Sequence, residues 1–140
     1  MATINATLNI SSDIVEYGFS ASKTMTMKKA GTNIGIEDTN GLAVKRLTAT
    51  AAVVLELAAD ATASGANKLY IRNTGSSKAD HFKVAFNASA SADDTVQHIG
   101  RLYGGDWMLI PWEADGTTHN VTVAPSTTEV MTIEYMTFHQ

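Results

Sequence analysis

The chain has no cysteine, so a disulfide framework and a thiolate metal site are both excluded. Positive charge is confined as well. All ten Lys and Arg lie between positions 1 and 101, beside nine acids, and the rest of the chain carries five acids and no fixed positive charge. An acidic end cannot track phosphates, which argues against nucleic acid as a partner there. No apolar run approaches the roughly 18 residues needed to span a bilayer, and the opening MATINATLNI lacks the basic and apolar regions of a secretory signal. These absences lead us to expect a protein made and assembled in a cytoplasm, with no membrane partner. The sequons at Asn5, Asn9, Asn87 and Asn120 then read as chance in a Thr-rich and Ser-rich chain.

What is abundant is small and uncharged: 20 Ala and 18 Thr, against a charged fraction of 17%. Charge is costly to bury and is depleted from interface cores, so a surface poor in it desolvates cheaply against a neighbour. The one basic run, Lys23, Lys28 and Lys29 in KTMTMKK, reads as a solvated strand face or a lysine-guarded edge. At 140 residues one core suffices, and with no linker or repeat the expectation is a single domain over residues 1–140.

Period-two alternation dominates from the start. Ile4, Ala6, Leu8 and Ile10 alternate with Thr3, Asn5, Thr7 and Asn9, the pattern of a half-buried strand. Val15, Tyr17 and Phe19 repeat it, as do Met25 and Met27. Ile34 and Ile36 follow, between glycine-bearing turns at Gly31 and Asn40-Gly41. Residues 42–63 are Ala-rich and invite a helix, yet Val53, Leu55 and Leu57 alternate among β-branched neighbours, which predicts a strand near residues 50–58. Further strands are expected in NKLYIRNTG, HFKVAF, TVQHIGRLY, WMLIPW, NVTVAP and EVMTIEYMTF, with a polar loop over residues 87–94. Pro111 cannot donate to a ladder and places its run at an edge or a strand end. About ten short strands predict an all-β, antiparallel β-sandwich, jelly-roll-like.

Chemistry has no recognisable seat. His81, His98, His119 and His139 are not spaced to aim two imidazoles at one ion, and GxSxG, HExxH and P-loop motifs are missing. The adjacent acids Glu37-Asp38 and Asp93-Asp94 would point to opposite faces on a strand and be solvated in a loop, and Asp93-Asp94 also lacks the spaced oxygens of a calcium loop. No cofactor, metal or catalytic residue is expected. Trp107 and Trp112, five residues apart, fall on opposite faces of one strand, which sends one inward and one outward; core packing of both, with Pro111 bending the strand, is the alternative. An outward Trp beside Tyr103 suits an interface anchor or the floor of a sugar site.

The second half resembles small structural proteins of tailed phages. The likeness rests on a strand ending in Asn-x-Gly at Asn73 and Gly75, and on a turn with Leu102, Gly105 and Asp106 before an apolar strand ending at Pro111. A last strand with Val130, Glu134 and Tyr135 completes it. The resemblance implies a jelly-roll-like virion component, a capsid decoration (cement) protein. It would assemble in the host cytoplasm, bind the major capsid protein and further copies of itself as a homotrimer or homodimer, and have no enzymatic activity. Interface candidates are Ile4, Leu8, Tyr103, Trp107 and Trp112. A second class is a tail- or fibre-associated module that binds glycans. A cupin-like enzyme is the third, and the histidine spacing speaks against it.

Overall fold

The computed structural model describes residues 3–14, 18–61, 63, 65–87 and 98–140. The protein is all-β, with eleven strands, one short 3-10 turn at Ala58–Asp60 and no α-helix among the described residues. Where the sequence suggested one domain over residues 1–140, the chain divides into two compact units, residues 1–37 and residues 38–140. The division falls between adjacent acids, Glu37 and Asp38, with no Gly- or Pro-rich linker to mark it.

In the first unit, β1 (Asn5–Ser12) pairs antiparallel with β2 (Phe19–Thr26) from Asn5↔Thr26 to Ser12↔Phe19. Alternation sorts this hairpin into two faces. On one, Asn5 and Thr26, Thr7 and Thr24, and Asn9 and Ser22 are joined across the strands by hydrogen bonds of 2.8, 2.9 and 2.6 Å. On the other, Ala6, Leu8 and Ile10 lie opposite Met25, Lys23 and Ala21. The predicted half-buried face is more open than its pattern suggests: Leu8, Ile10 and Met25 are 44%, 46% and 41% exposed. Phe19 and Met25 belong to one strand where two were expected, and Val15 and Tyr17 lie outside the described residues. Beyond the hairpin, Met27 donates its N–H to Ile4 (2.9 Å) and accepts from Ile36 (3.1 Å), and a bridge joins Lys28 to Gly35.

The second unit contains β3 (Asp38–Thr39), β4 (Ala43–Leu47), β5 (Val53–Glu56), β6 (Lys68–Asn73), β7 (His81–Asn87), β8 (Gly100–Tyr103), β9 (Trp107–Pro111), β10 (Asn120–Pro125) and β11 (Met131–His139). Asn40-Gly41, expected as a turn, is a bulge. From Tyr135↔Ala43 to Phe138↔Thr39 the β3–β4 side carries one more residue than β11. Gly41 takes the left-handed φ of +73° that this kink requires. The predicted strand near residues 50–58 is β5, shortened to Val53–Glu56. Residues 88–94 of the expected polar loop lie outside the described residues.

The pairing follows one rule. β4 pairs with β11, β5 with β10, β6 with β9 and β7 with β8, so four strands meet four in reverse order, as in one long hairpin. Pairing of β6 with β11 and of β7 with β10 rolls that hairpin into two sheets, β4-β11-β6-β9 (extended by β3) and β5-β10-β7-β8. That is the strand order of an eight-stranded jelly roll. Between the sheets lie Leu55, Leu69, Ile71, Phe82, Val84, Leu102, Trp112, Val121, Val123, Met131 and Ile133, and burying each large side chain contributes about 1.5–3 kcal/mol.

Polar side chains join the two sheets where the edge strands β4 and β5 lie. Asn40 donates through Nδ2 to Glu56 Oε2 (2.7 Å), and its Oδ1 accepts the Thr137 N–H (2.7 Å). Lys45 Nζ donates to the Val54 carbonyl (3.3 Å). Burial raises the Glu56 carboxyl pKa; the Asn40 hydrogen bond opposes that shift, as does His139, while Asp60 adds to it. A folded pKa above the unfolded one means that the group's favourable contribution is present at acid pH and is lost as pH rises through the raised value. Glu56→Gln, which keeps an acceptor for Asn40, should therefore raise the melting temperature at pH 7 by about 2 °C, and the gain should vanish near pH 4. A loss at pH 7 would show that the charged form is favoured. Deleting residues 129–140 removes the strand between β4 and β6 with its buried Met131 and Ile133, and should leave no cooperative melting transition.

Candidate interaction surface

The site is built from one corner. Asn73, 1% exposed at the end of β6, accepts the Gly75 N–H on Oδ1 (3.0 Å) and donates from Nδ2 to the Leu102 carbonyl (3.0 Å). Its backbone N–H donates to Asp106 (3.0 Å) and its carbonyl accepts from Gly105 (3.0 Å). Asp106 closes the turn by accepting the Tyr103 N–H on Oδ2 (2.9 Å) and returning its own N–H to the Tyr103 carbonyl (2.9 Å). Gly105 holds φ at +90°. Two motifs that the sequence singled out apart from each other, Asn73 with Gly75 and Leu102 with Gly105 and Asp106, thus meet at the passage from one sheet to the other.

This corner delivers Trp107 to the first position of β9, opposite Arg72. Arg72 is opposite Glu134, and Glu134 is opposite Val44. Ile71, Ile133 and Leu69 point into the core, so by alternation these four, with Tyr70, belong to the outer face of the sheet. Val44 is 62% exposed and Trp107 51%. The Tyr70 hydroxyl donates to Glu134 Oε1 (2.8 Å). Burial raises the Tyr70 pKa first, and the bond to Glu134 and its charge raise it further, with Arg72 opposing. Tyr70, Arg72, Gly105 and Trp107 line an open depression of about 400 Å³. Trp, Tyr and Arg are the side chains most enriched at binding hot spots.

The expected contact residues separate. Leu8 lies on the apolar side of the first unit's hairpin, and Ile4, just before β1, accepts the Met27 N–H. Tyr103 sits on an outward position of β8, in the other sheet from Trp107, with its ring 5.0 Å from that of His81. Trp112 is not a contact residue. It is 1% exposed within the core, and its Nε1–H donates to the His119 carbonyl (2.7 Å). Of the two tryptophans one points in and one out, as the strand period requires, and β9 is an edge strand ending at Pro111. Arg72 and Tyr70 escaped the sequence reading; their signal was alternation with Leu69 and Ile71, which marks them as outward but does not say which strand lies beside them.

Asp115 organises the loop before β10. Its Oδ1 accepts the N–H groups of Thr117 (2.9 Å), Thr118 (2.6 Å) and His119 (3.0 Å), and its Oδ2 accepts the Thr118 hydroxyl. The Thr118 side-chain bond, with these backbone donors behind it, holds the carboxyl well below the usual range. Among the described residues no three His, Asp or Glu side chains converge as a ligand set; Asp93-Asp94 lies outside them.

The corner makes a sharp prediction. A Cβ on Gly104 would stand 2.5 Å from the Ser77 carbonyl oxygen and 2.7 Å from the Ser76 carbonyl carbon, both backbone atoms, whereas one on Gly100 meets nothing within 4 Å. Gly104→Ala should cost about 3 kcal/mol and lower the melting temperature by about 10 °C, while Gly100→Ala should leave it within a degree or two. Equal melting of the two variants would remove the close approach from the account. Comparison with protein-family models, curated proteins and solved structures gives no match.

Proposed function

We propose that this protein is a structural component of a tailed-phage virion, a capsid decoration (cement) protein. It binds the assembled head through the major capsid protein and through further copies of itself, as a trimer or dimer, with no chemistry of its own. The observation that carries this reading is the β1–β2 hairpin. A two-stranded sheet is marginal by itself in water, and this one leaves Leu8, Ile10 and Met25 nearly half exposed on one face. Such a face gains by meeting another protein. The jelly-roll order of residues 38–140, with its Asn73 corner, supports the phage resemblance.

Magnitudes say how such a protein would hold. Burying what remains exposed of Leu8, Ile10 and Met25 contributes about 1 kcal/mol each, less in total than the 4–15 kcal/mol or more estimated for lost rotational and translational freedom. One copy on one contact is therefore weak. Several linked copies on a symmetric shell raise the avidity by roughly 10² to 10⁴ without any new contact, which suits a protein that repeats over a capsid.

The test is to strip particles of the protein, add it back, image the shell and measure heat resistance. Wild-type protein should return to regular positions and raise the temperature of head disruption. Leu8→Asp should lower occupancy at least tenfold while the melting temperature of the free protein changes little, because the side chain is already exposed. A protein that never appears on the shell, or sits only at the tail, overturns the decoration role.

A further inference from the structure

The depression beside Trp107 is independent of the hairpin and asks for a different ligand. We propose that it is a saccharide-binding site whose ligand is a neutral pyranose of a larger glycan. A pyranose offers a flat face of C–H groups and a rim of hydroxyls that both donate and accept. Trp107 supplies the matching plane: it is 51% exposed, and it stands at the start of an edge strand whose outer side pairs with no strand among the described residues. Gly105, one residue across the turn, carries no side chain and has open space where a Cβ would be. That side of the depression therefore stays open to a ring lying on the indole.

Polar groups are fixed at the distance such a ring needs. Arg72 is the direct cross-strand neighbour of Trp107, which sets their Cβ atoms about 4.5–5.5 Å apart, close to the width of a six-membered ring. Tyr70 and Arg72 both line the depression with Trp107, and Tyr70 is held by its 2.8 Å bond to Glu134. Donors and acceptors are thus both present on strand-borne side chains, where geometry is better defined than on loops. The volume of about 400 Å³ lies within the range of small-ligand sites.

Charge selects the class of sugar. Arg72 and Glu134 are opposite each other in register, so the guanidinium and the carboxylate cancel locally. Lys68, further along β6, directs its Nζ to the carbonyls of Ala66 (2.7 Å) and Asn67 (3.3 Å). Glu134 stands behind the lining, where its carboxylate accepts the Tyr70 hydroxyl and offsets the Arg72 charge, so an acidic sugar gains little from the guanidinium. A neutral ring finds in Arg72 a donor fork and in the Tyr70 oxygen an acceptor for adjacent hydroxyls.

The chain's two tryptophans make the test direct, because Trp107 is open while Trp112 is enclosed. Acrylamide quenching of the full chain reports on Trp107. It is measured against neutral oligosaccharides of gluco, galacto and manno configuration, with uronic-acid oligosaccharides as a second arm. One neutral series should protect Trp107 saturably. Trp107→Ala and Arg72→Ala should each weaken binding, measured by calorimetry, at least tenfold with melting unchanged. Trp107→Phe should retain part of the affinity, and Tyr103→Ala, on the other sheet, all of it. No binding by any neutral series, binding that survives Trp107→Ala, or preference for the uronic acids overturns the assignment. So does a Trp107→Ala variant that loses capsid occupancy while no saccharide binds, which would make the surface a protein contact. Failure of shell decoration leaves the saccharide assignment standing, so the two readings fail separately.

Discussion

The second unit depends on a single buried amide. Asn73 is enclosed at the end of β6, and its side chain and backbone together make four hydrogen bonds, to Gly75, Leu102, Gly105 and Asp106. Leaving any one of those buried groups unpaired costs about 1–3 kcal/mol, so the corner keeps its geometry or loses much of a small domain's stability. The turn from β8 into β9 is held by it. Trp107 is opposite Arg72 because Gly105 and Asp106 are held by Asn73, and the row Val44, Glu134, Arg72, Trp107 exists because β9 enters at that point.

That dependence explains what the sequence showed and what it hid. Alternation revealed the strands wherever one face meets the core: Leu69 and Ile71, Phe82 and Val84, Val121 and Val123, and Met131 and Ile133 are all buried. It placed one tryptophan inside and one outside for the same reason. Alternation also overstated burial in β1, since a period of two reports a two-faced strand whether or not anything covers the apolar face. Asn40-Gly41 read as a turn because a turn and a bulge both need a residue at positive φ; only the register of β11 against β3 and β4 separates them. Cross-strand neighbours such as Arg72 and Glu134 come from residues 62 positions apart, and nothing local records that distance.

Tight and open regions divide along a physical line. Where β4 and β5 form sheet edges, polar links close the gap through Lys45 and through Asn40 with Glu56. Lys45 and Glu56 are half-buried there and Asn40 is exposed, and Glu56 carries the cost of burial as a raised pKa. At the opposite edge, β9 presents Trp107. An edge held by polar links between the sheets resists rearrangement, whereas an edge that displays an aromatic and a guanidinium is available for a partner.

The two exposed surfaces differ in kind, and this bears on how one small chain could serve two contacts. The hairpin face is apolar, with Lys23 its sole charge among the residues paired there; such a face gives non-directional attraction that scales with area and tolerates small errors of fit. The Trp107 row carries charges of both signs and a hydroxyl held by Glu134, so a ligand there would be selected by geometry, because an ill-matched one leaves donors unpaired. Low overall charge serves both. With little long-range field from its 24 charged side chains at a net charge of −4, the protein neither steers nor repels most partners at a distance, and selection falls to what touches these two surfaces.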